Sequence, residues 1–279
     1  MRATARALAI SVIPSEAKRS RGIPWKCLKV PHWDLSTSLD MTENIRSQTA
    51  AVIPAYQDEK HIGDIARRTR ERLGHVLVVD DGSTDQTEQR AREAGAEVIV
   101  HTQNQGKGEA IKTGLAHWLG AANPSGSGQD GQITWVILLD SDGQHLPEEI
   151  DRFLVAAASV TRPTFFIGNR MDDVARMPLL RRVVNRYMSN EISSVCGQKI
   201  PDTQCGYRML DRQLIPDMLG GGHRFDYDTE ALIIACRKGY CIESVPITTV
   251  YTDQVSKIHP LRDSLRFVKM MRRYKAVGS

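Results

Sequence analysis

No stretch of this 279-residue chain reaches the ~20 consecutive apolar residues that a membrane-spanning helix requires. The apolar run nearest the start, Ala7-Leu8-Ala9-Ile10-Ser11-Val12-Ile13, is short. Pro14-Ser15-Glu16-Ala17-Lys18 after it is a poor cleavage site, so no signal peptide is read there. The five cysteines (Cys27, Cys196, Cys205, Cys236, Cys241) are odd in number and form no CxxC pair. That argues against a zinc or disulfide framework and predicts reduced thiols in a cytoplasmic protein. His101 and His145 stand alone, without HxH or HExxH spacing, which argues against a zinc site. The P-loop spacing GxxxxGK[ST] is also missing. Net charge is only +4. So small an excess suits an anionic small ligand or an acidic lipid surface and gives no case for nucleic acid.

What is present is a soluble core composition, 41% hydrophobic and 25% charged, in a length that allows one large domain or two small ones. Residues 1 to about 48 mix Pro14, Pro24, Pro31, Trp25 and Trp33 with basic residues and show no sustained period, so no packed unit is expected there. The stretch from Val12 to Trp25 resembles translated bacterial intergenic repeat sequence, which makes Met41 a candidate natural start and residues 1–48 an appendage. From Ala50 a strand–helix rhythm begins. Strands are expected at residues 50–53, 75–79, 96–101 and 135–139, and helices at 60–73, 83–95 and 106–119. Strands of Val, Ile and Leu alternating with helices imply parallel pairing through right-handed crossovers. Residues 121–132, rich in Gly, Ser and Asn, read as a loop. The second half adds strands at 164–168, 206–210 and 241–250 and helices at 178–196, 226–238 and 260–274. It reads as an elaboration of one sheet. The expected fold class is therefore α/β, a mostly parallel sheet flanked by helices, in a single domain over residues 49–274 with a short tail at 275–279.

Asp140-Ser141-Asp142 follows the apolar run Trp135-Val136-Ile137-Leu138-Leu139. Open α/β sheets bind ligands at the carboxyl ends of their strands. A hard divalent cation holding a substrate phosphate would account for two carboxylates there, and so would a helix cap at Asp142. Two further strand ends carry Tyr56-Gln57-Asp58-Glu59 and Asp80-Asp81-Gly82-Ser83. A carboxylate there can accept from nucleobase N–H groups and a tyrosine can stack on a base. Ordinary turns capped by Ser83 or Asp85 would look the same for one loop alone. Gly82 allows a backbone turn that a β-carbon would obstruct. Lys107, between Gly106 and Gly108 at a helix start, offers charge and free N–H groups to phosphate.

These motifs, with Gly168-Asn169-Arg170, Asp202-Thr203-Gln204-Cys205-Gly206-Tyr207-Arg208 and Glu243-Ser244-Val245-Pro246-Ile247, occur in the order and spacing of family 2 glycosyltransferases of GT-A fold. The chain resembles most the dolichyl- and polyprenyl-phosphate sugar transferases, over about residues 50–274. The resemblance implies that Pro54, Tyr56 and Glu59 form a nucleotide-contact loop and that Asp80 and Asp81 recognise the base. Asp140 and Asp142 match the DxD motif, Ser141 lying between them on the donor side. Mg²⁺ or Mn²⁺ is expected on Asp142, with Asp140 and Gln144 near it. Arg170 matches a basic residue facing a phosphate, and Asp202 and Arg208 match the motif closing the acceptor side. Asp228 and Glu230 fall near that family's acceptor pocket, although acids at a helix start also suit the dipole. Gln57 stands where the family usually has Asn.

The resemblance further implies a single displacement with inversion, moving a hexose from a nucleotide sugar to a polyprenyl phosphate, with UDP-glucose favoured over GDP-mannose. A lipid phosphate needs no general base. A hydroxyl of a glycan, glycolipid or small molecule would need one, and Asp202 is the candidate. A nucleotide-binding module without catalysis is the reading from another class, disfavoured because Asp142, Lys107, Arg170 and Asp202 are all present. Leu180, Val184 and Tyr187 share one helical face, as do Leu261, Leu265 and Val268, with arginines and lysines around both. Such helices either lie on an anionic bilayer, here the inner face of the plasma membrane, or pack on the sheet with a solvated basic face.

Overall fold

The computed structural model describes residues 35–120, 132–171, 179–220 and 227–248, together with Met177, Phe267, Met271 and Tyr274. Seven strands form one sheet: β1 (Thr49–Ala55), β2 (His75–Asp80), β3 (Glu97–Val100), β4 (Trp135–Leu138), β5 (Thr164–Asn169), β6 (Arg208–Asp211) and β7 (Cys241–Pro246). Their spatial order is β3-β2-β1-β4-β6-β5-β7. All neighbours pair in parallel except β6, which runs antiparallel to both β4 and β5. The described helices are α1 (Leu35–Ser47), α2 (Ile62–Arg70), α3 (Thr87–Glu93), α4 (Lys107–Gly120), α5 (Ile150–Ala158), α6 (Leu179–Cys196), α7 (Ile215–Leu219) and α8 (Tyr227–Arg237).

The central strands are buried along their whole length, as strands covered on both faces must be. β1 continues through Pro54, which pairs with Val79, where a strand end was expected at Ile53. Proline is tolerated there because the β1–β4 ladder stops at Val52–Leu138, so no partner needs its missing N–H. Reversal of β6 has a functional consequence. Arg208 begins β6 opposite Leu138 and Ile167, so the 202–207 turn lies at the edge where β4 and β5 end.

Three expectations are corrected. Helix α1 lies inside the segment read as an unpacked appendage. It is docked: the Arg46 guanidinium donates to the Arg72 carbonyl at 3.0 Å and to Asp151 at 3.1 Å, and Ile45 packs on the core. Tertiary contact, not an internal apolar period, fixes this helix. Second, Cys196 and Cys236 form a disulfide joining α6 to α8, their Cα atoms 5.2 Å apart across a separation of 40 residues. Packing of two helices made the pair, which no sequence spacing signals. The pair also removes the ground for reading a chain of reduced thiols. Cys205 and Cys241 are buried and stand outside this disulfide.

Third, the sheet-packing alternative for the α6 stripe fails at Tyr187. Asn185, Ser189 and Ile192 are buried, while Leu179, Val183 and Tyr187 are exposed, Tyr187 having been expected on the stripe of Leu180 and Val184. In the tail segment, Phe267 and Met271 are helical and buried in the core. Leu261, Leu265 and Val268, and residues 121–131 of the expected loop, lie outside the described residues.

Candidate active site

The carboxyl ends of β1, β2 and β4 and the start of β6 converge on one rim. Gly206 sits at its centre, where a β-carbon would lie 2.7 Å from Asp140 Oδ2 and 3.0 Å from Lys107 Nζ. A side chain there would push the Asp140–Lys107 pair aside. Lys107, at the first turn of α4, places its ammonium 2.6 Å from Asp140 Oδ1 and 3.4 Å from Asp228 Oδ2. Burial works against this charge, but the two carboxylates outweigh it and hold the lysine pKa above its ordinary value. Burial likewise favours a neutral Asp140, yet Lys107 overrides it and keeps the carboxyl below the usual range. Asp228, at the start of α8, thus joins the cluster of Lys107 and Asp140. Glu230 lies two residues further along the same first turn.

Asp142 is the contrasting carboxylate. Burial first, then the Asp140 charge, push its pKa up. The Gln144 N–H, at 3.0 Å, is its hydrogen-bond donor, and no described cation pairs with it. Among the described residues no group of three or more His, Cys, Asp or Glu side chains closes a complete metal cage. A carboxylate short of positive charge beside an otherwise open rim fits Mg²⁺ or Mn²⁺, which take one or two carboxylates and complete their shell from phosphate and water. Ser141, between the two acids, is buried.

The first two loops brace one another. Gln57 is the single non-glycine residue with positive φ (52°) among the described residues. Its N–H donates to Ser83 Oγ at 2.9 Å and its amide to Thr84 at 2.8 Å. That left-handed geometry explains why Asn is usual at this position, since Asn adopts it more readily than Gln. Glu59 accepts from the Gln86 N–H at 3.1 Å. Tyr56 projects outward, 41% exposed, free to stack on a planar ligand. Pro54 is a buried strand residue paired with Val79.

The acidic pair ending β2 is also reassigned. Asp81 is buried and accepts from the N–H groups of Gln105 (2.9 Å) and Gly106 (2.7 Å), with His101 Nδ1 at 2.7 Å. It shapes the loop that delivers Lys107 and is not open to a base. Asp80, also buried, accepts from the Ser83 N–H at 2.9 Å. Gly82 between these loops behaves as expected, since a β-carbon would lie 2.6 Å from the Gln103 carbonyl carbon.

On the acceptor side Asp202 and Arg170 are bonded to one another. Arg170 donates to Asp202 through Nε (2.7 Å), Nη2 (3.0 Å) and its backbone N–H (3.2 Å), and the Gln204 N–H adds a fourth bond at 3.2 Å. Every lone-pair position of this fully buried carboxylate is taken. Burial opposes the charge but Arg170 prevails, so the Asp202 pKa is lowered. A locked carboxylate of depressed basicity is poorly matched to general-base work, and the Arg170 guanidinium gives its Nε–H and an Nη2–H to it. Arg208 is buried too, donating to the carbonyls of Cys205, Thr203 and Asp228. It ties the 202–207 turn to α8.

Sequence reasoning passed over His145. The ring is 3% exposed, accepts the Asp140 N–H at Nδ1 (3.1 Å) and stacks on Tyr207 with centroids 5.0 Å apart. Burial pushes its pKa down to about 4, so the ring is neutral near pH 7. Its position five residues after Asp140 was the available signal.

Comparison with known proteins agrees with this architecture. The family description "Glycosyl transferase family 2" matches residues 50–219. The UDP-N-acetylglucosamine–dolichyl-phosphate N-acetylglucosaminyltransferase of Methanococcus voltae is 29% identical, over 72% of this chain and 85% of its own length. The dolichyl-phosphate β-glucosyltransferase of Saccharomyces cerevisiae is 27% identical, over 79% of this chain and 72% of its own. Among solved structures, glucosyl-3-phosphoglycerate synthase of Mycobacterium tuberculosis, crystallised with Mn²⁺, UDP and phosphoglyceric acid, aligns with a TM-score of 0.61. It covers 90% of this chain and 82% of its own at 16% identity, a likeness of fold.

Proposed function

The chain belongs to glycosyl transferase family 2, and from that premise we propose that it moves a hexose from a nucleotide sugar to a polyprenyl phosphate. The observation that carries the choice of acceptor is the locking of Asp202. A hydroxyl acceptor needs its proton removed, and the carboxylate best matched to that task by sequence has no free lone pair. A phosphate acceptor is already anionic. Relatives named for dolichyl-phosphate transfer support the same reading.

In this reading a phosphate oxygen of the acceptor attacks the anomeric carbon. The bond to the diphosphate breaks on the opposite face, and the nucleoside diphosphate leaves with the electron pair. Asp142, with Gln144 and Asp140 near it, would hold Mg²⁺ or Mn²⁺, which when bound neutralises charge on the leaving diphosphate. Lys107 adds a fixed positive charge at the α4 N-terminus, kept protonated by Asp140 and Asp228. Tyr56 provides a stacking face for the base. Substrate delivery from a bilayer is supported by the exposed stripe of Leu179, Val183 and Tyr187 on α6, beside Arg182 and Arg186. No described helix is long and apolar enough to cross a membrane.

The test is transfer from radiolabelled UDP-glucose, UDP-N-acetylglucosamine and GDP-mannose to undecaprenyl phosphate in phosphatidylglycerol vesicles, with Mn²⁺ or Mg²⁺. A lipid-extractable labelled product, lost in Asp142→Ala, is expected. Label appearing instead on a hydroxyl acceptor, with none on the lipid phosphate, would overturn the reading.

A further inference from the structure

The backbone N–H of Asp140 lies at the end of β4, beyond the ladder of that strand. It finds its acceptor in a side chain, His145 Nδ1, at 3.1 Å. Because the N–H must donate, Nδ1 carries no proton and the hydrogen sits on Nε2. That second nitrogen faces Cys205 Sγ at 4.0 Å. One face of the ring stacks on Tyr207, whose hydroxyl donates to the Leu146 carbonyl at 3.2 Å and whose ring packs on Phe153. His145 therefore touches the Asp140–Asp142 loop through one nitrogen and the 202–207 turn through the rest of its ring. The two segments meet again at Gly206, against which Asp140 and Lys107 lie.

We propose that His145 is a positioning residue: its ring nitrogen fixes the backbone of Asp140, and its ring locks that loop to the 202–207 turn, so that both carboxylates face the donor diphosphate together. The inference rests on the reaction proposed above only for its kinetic readout. A buried N–H without an acceptor is costly, and here that cost falls on the residue whose carboxylate must hold its position against Lys107. An aromatic ring alone would fill the space and keep the stack without fixing the loop.

Three variants separate packing from positioning. In His145→Asn the amide oxygen falls near the place of Nδ1. In His145→Gln the amide reaches the place of Nε2 instead. In His145→Phe the ring remains but both nitrogens are lost. Amide hydrogen exchange at Asp140 should stay slow in the Asn variant and accelerate about tenfold or more in the Gln and Phe variants. Transfer should follow the same order, with donor kcat/KM near wild type for Asn and at least about tenfold lower for Gln. Should His145→Phe fail to fold, the contrast between Asn and Gln still decides. Equal exchange at Asp140 in Asn and Gln variants, or equal donor kcat/KM in the two, would overturn the proposal. Exchange that follows the acceptor in a protein showing no transfer would leave the brace standing and sink the reaction instead.

Discussion

Replacing Asp202 by Asn tests the reassignment of this carboxylate most directly. The wild-type side chain receives four donors, three of them from Arg170. Asn offers one carbonyl oxygen in place of two carboxylate oxygens and turns an NH₂ group towards N–H donors. The Arg170 side chain, 7% exposed, is then left as a buried cation without its counter-charge. Breaking such a pair from one side costs about 3–5 kcal/mol. Against a typical stability of ~5–15 kcal/mol that is a large share. At about 2–4 °C per kcal/mol for a domain of this size, the melting temperature should fall by roughly 6–20 °C. Urea unfolding at pH 7 with far-UV circular dichroism reads the change in midpoint. Arg170→Met combined with Asp202→Leu, which removes both charges together, should recover much of the loss. If Asp202→Asn instead left the unfolding midpoint in place and lowered kcat by about a hundredfold or more, the carboxylate would be a general base after all.

Further outcomes follow from the same geometry. His145 has its pKa depressed to about 4, so the folded state binds fewer protons there than the unfolded state. Its contribution is whole above about pH 6.5 and drains away as pH falls towards 4, by about 3 kcal/mol in all, and the pH slope of stability over that window should shrink in His145→Asn. An unchanged slope would show that other groups carry it. Reducing Cys196–Cys236, or the Cys196→Ser variant, opens a link across 40 residues and should destabilise by about 4 kcal/mol on the chain-entropy estimate. Identical melting with and without dithiothreitol would mean that the thiols are unpaired in solution. Gln57→Asn should raise stability by roughly 0.5 kcal/mol by relaxing the left-handed backbone at 52°. A loss above about 1 kcal/mol would show that the bond to Thr84 matters more.

Much of this protein could be read from its chain because the signals are local. Apolar runs such as Val76-Leu77-Val78-Val79 become buried parallel strands, and the breaks after them carry the Asp, Tyr and Gly residues of the rim. Gly82 is a case where backbone conformation and the nearby Gln103 backbone together dictate the residue. The order of the motifs also identified the family correctly. What remained hidden depends on neighbours distant in sequence. Asp81, Asp202 and Arg208 carry the residue types of ligand contacts, yet burial and the hydrogen-bond partners around them make them struts. Helix α1 and the Cys196–Cys236 bond exist because other elements pack against them.

Sequence by itself therefore determined the strand–helix alternation, the identity of the loops at the carboxyl edge and the class of chemistry they suit. Tertiary structure alone decided which carboxylates stay available. Reversal of β6 brings the 202–207 turn beside Asp140, Lys107 neutralises Asp228 across 121 residues of chain, and Arg170 closes over Asp202. The physical reason is that a strand forms from its own side chains, whereas the reactivity of a carboxylate is set by the burial and the charges that folding places around it.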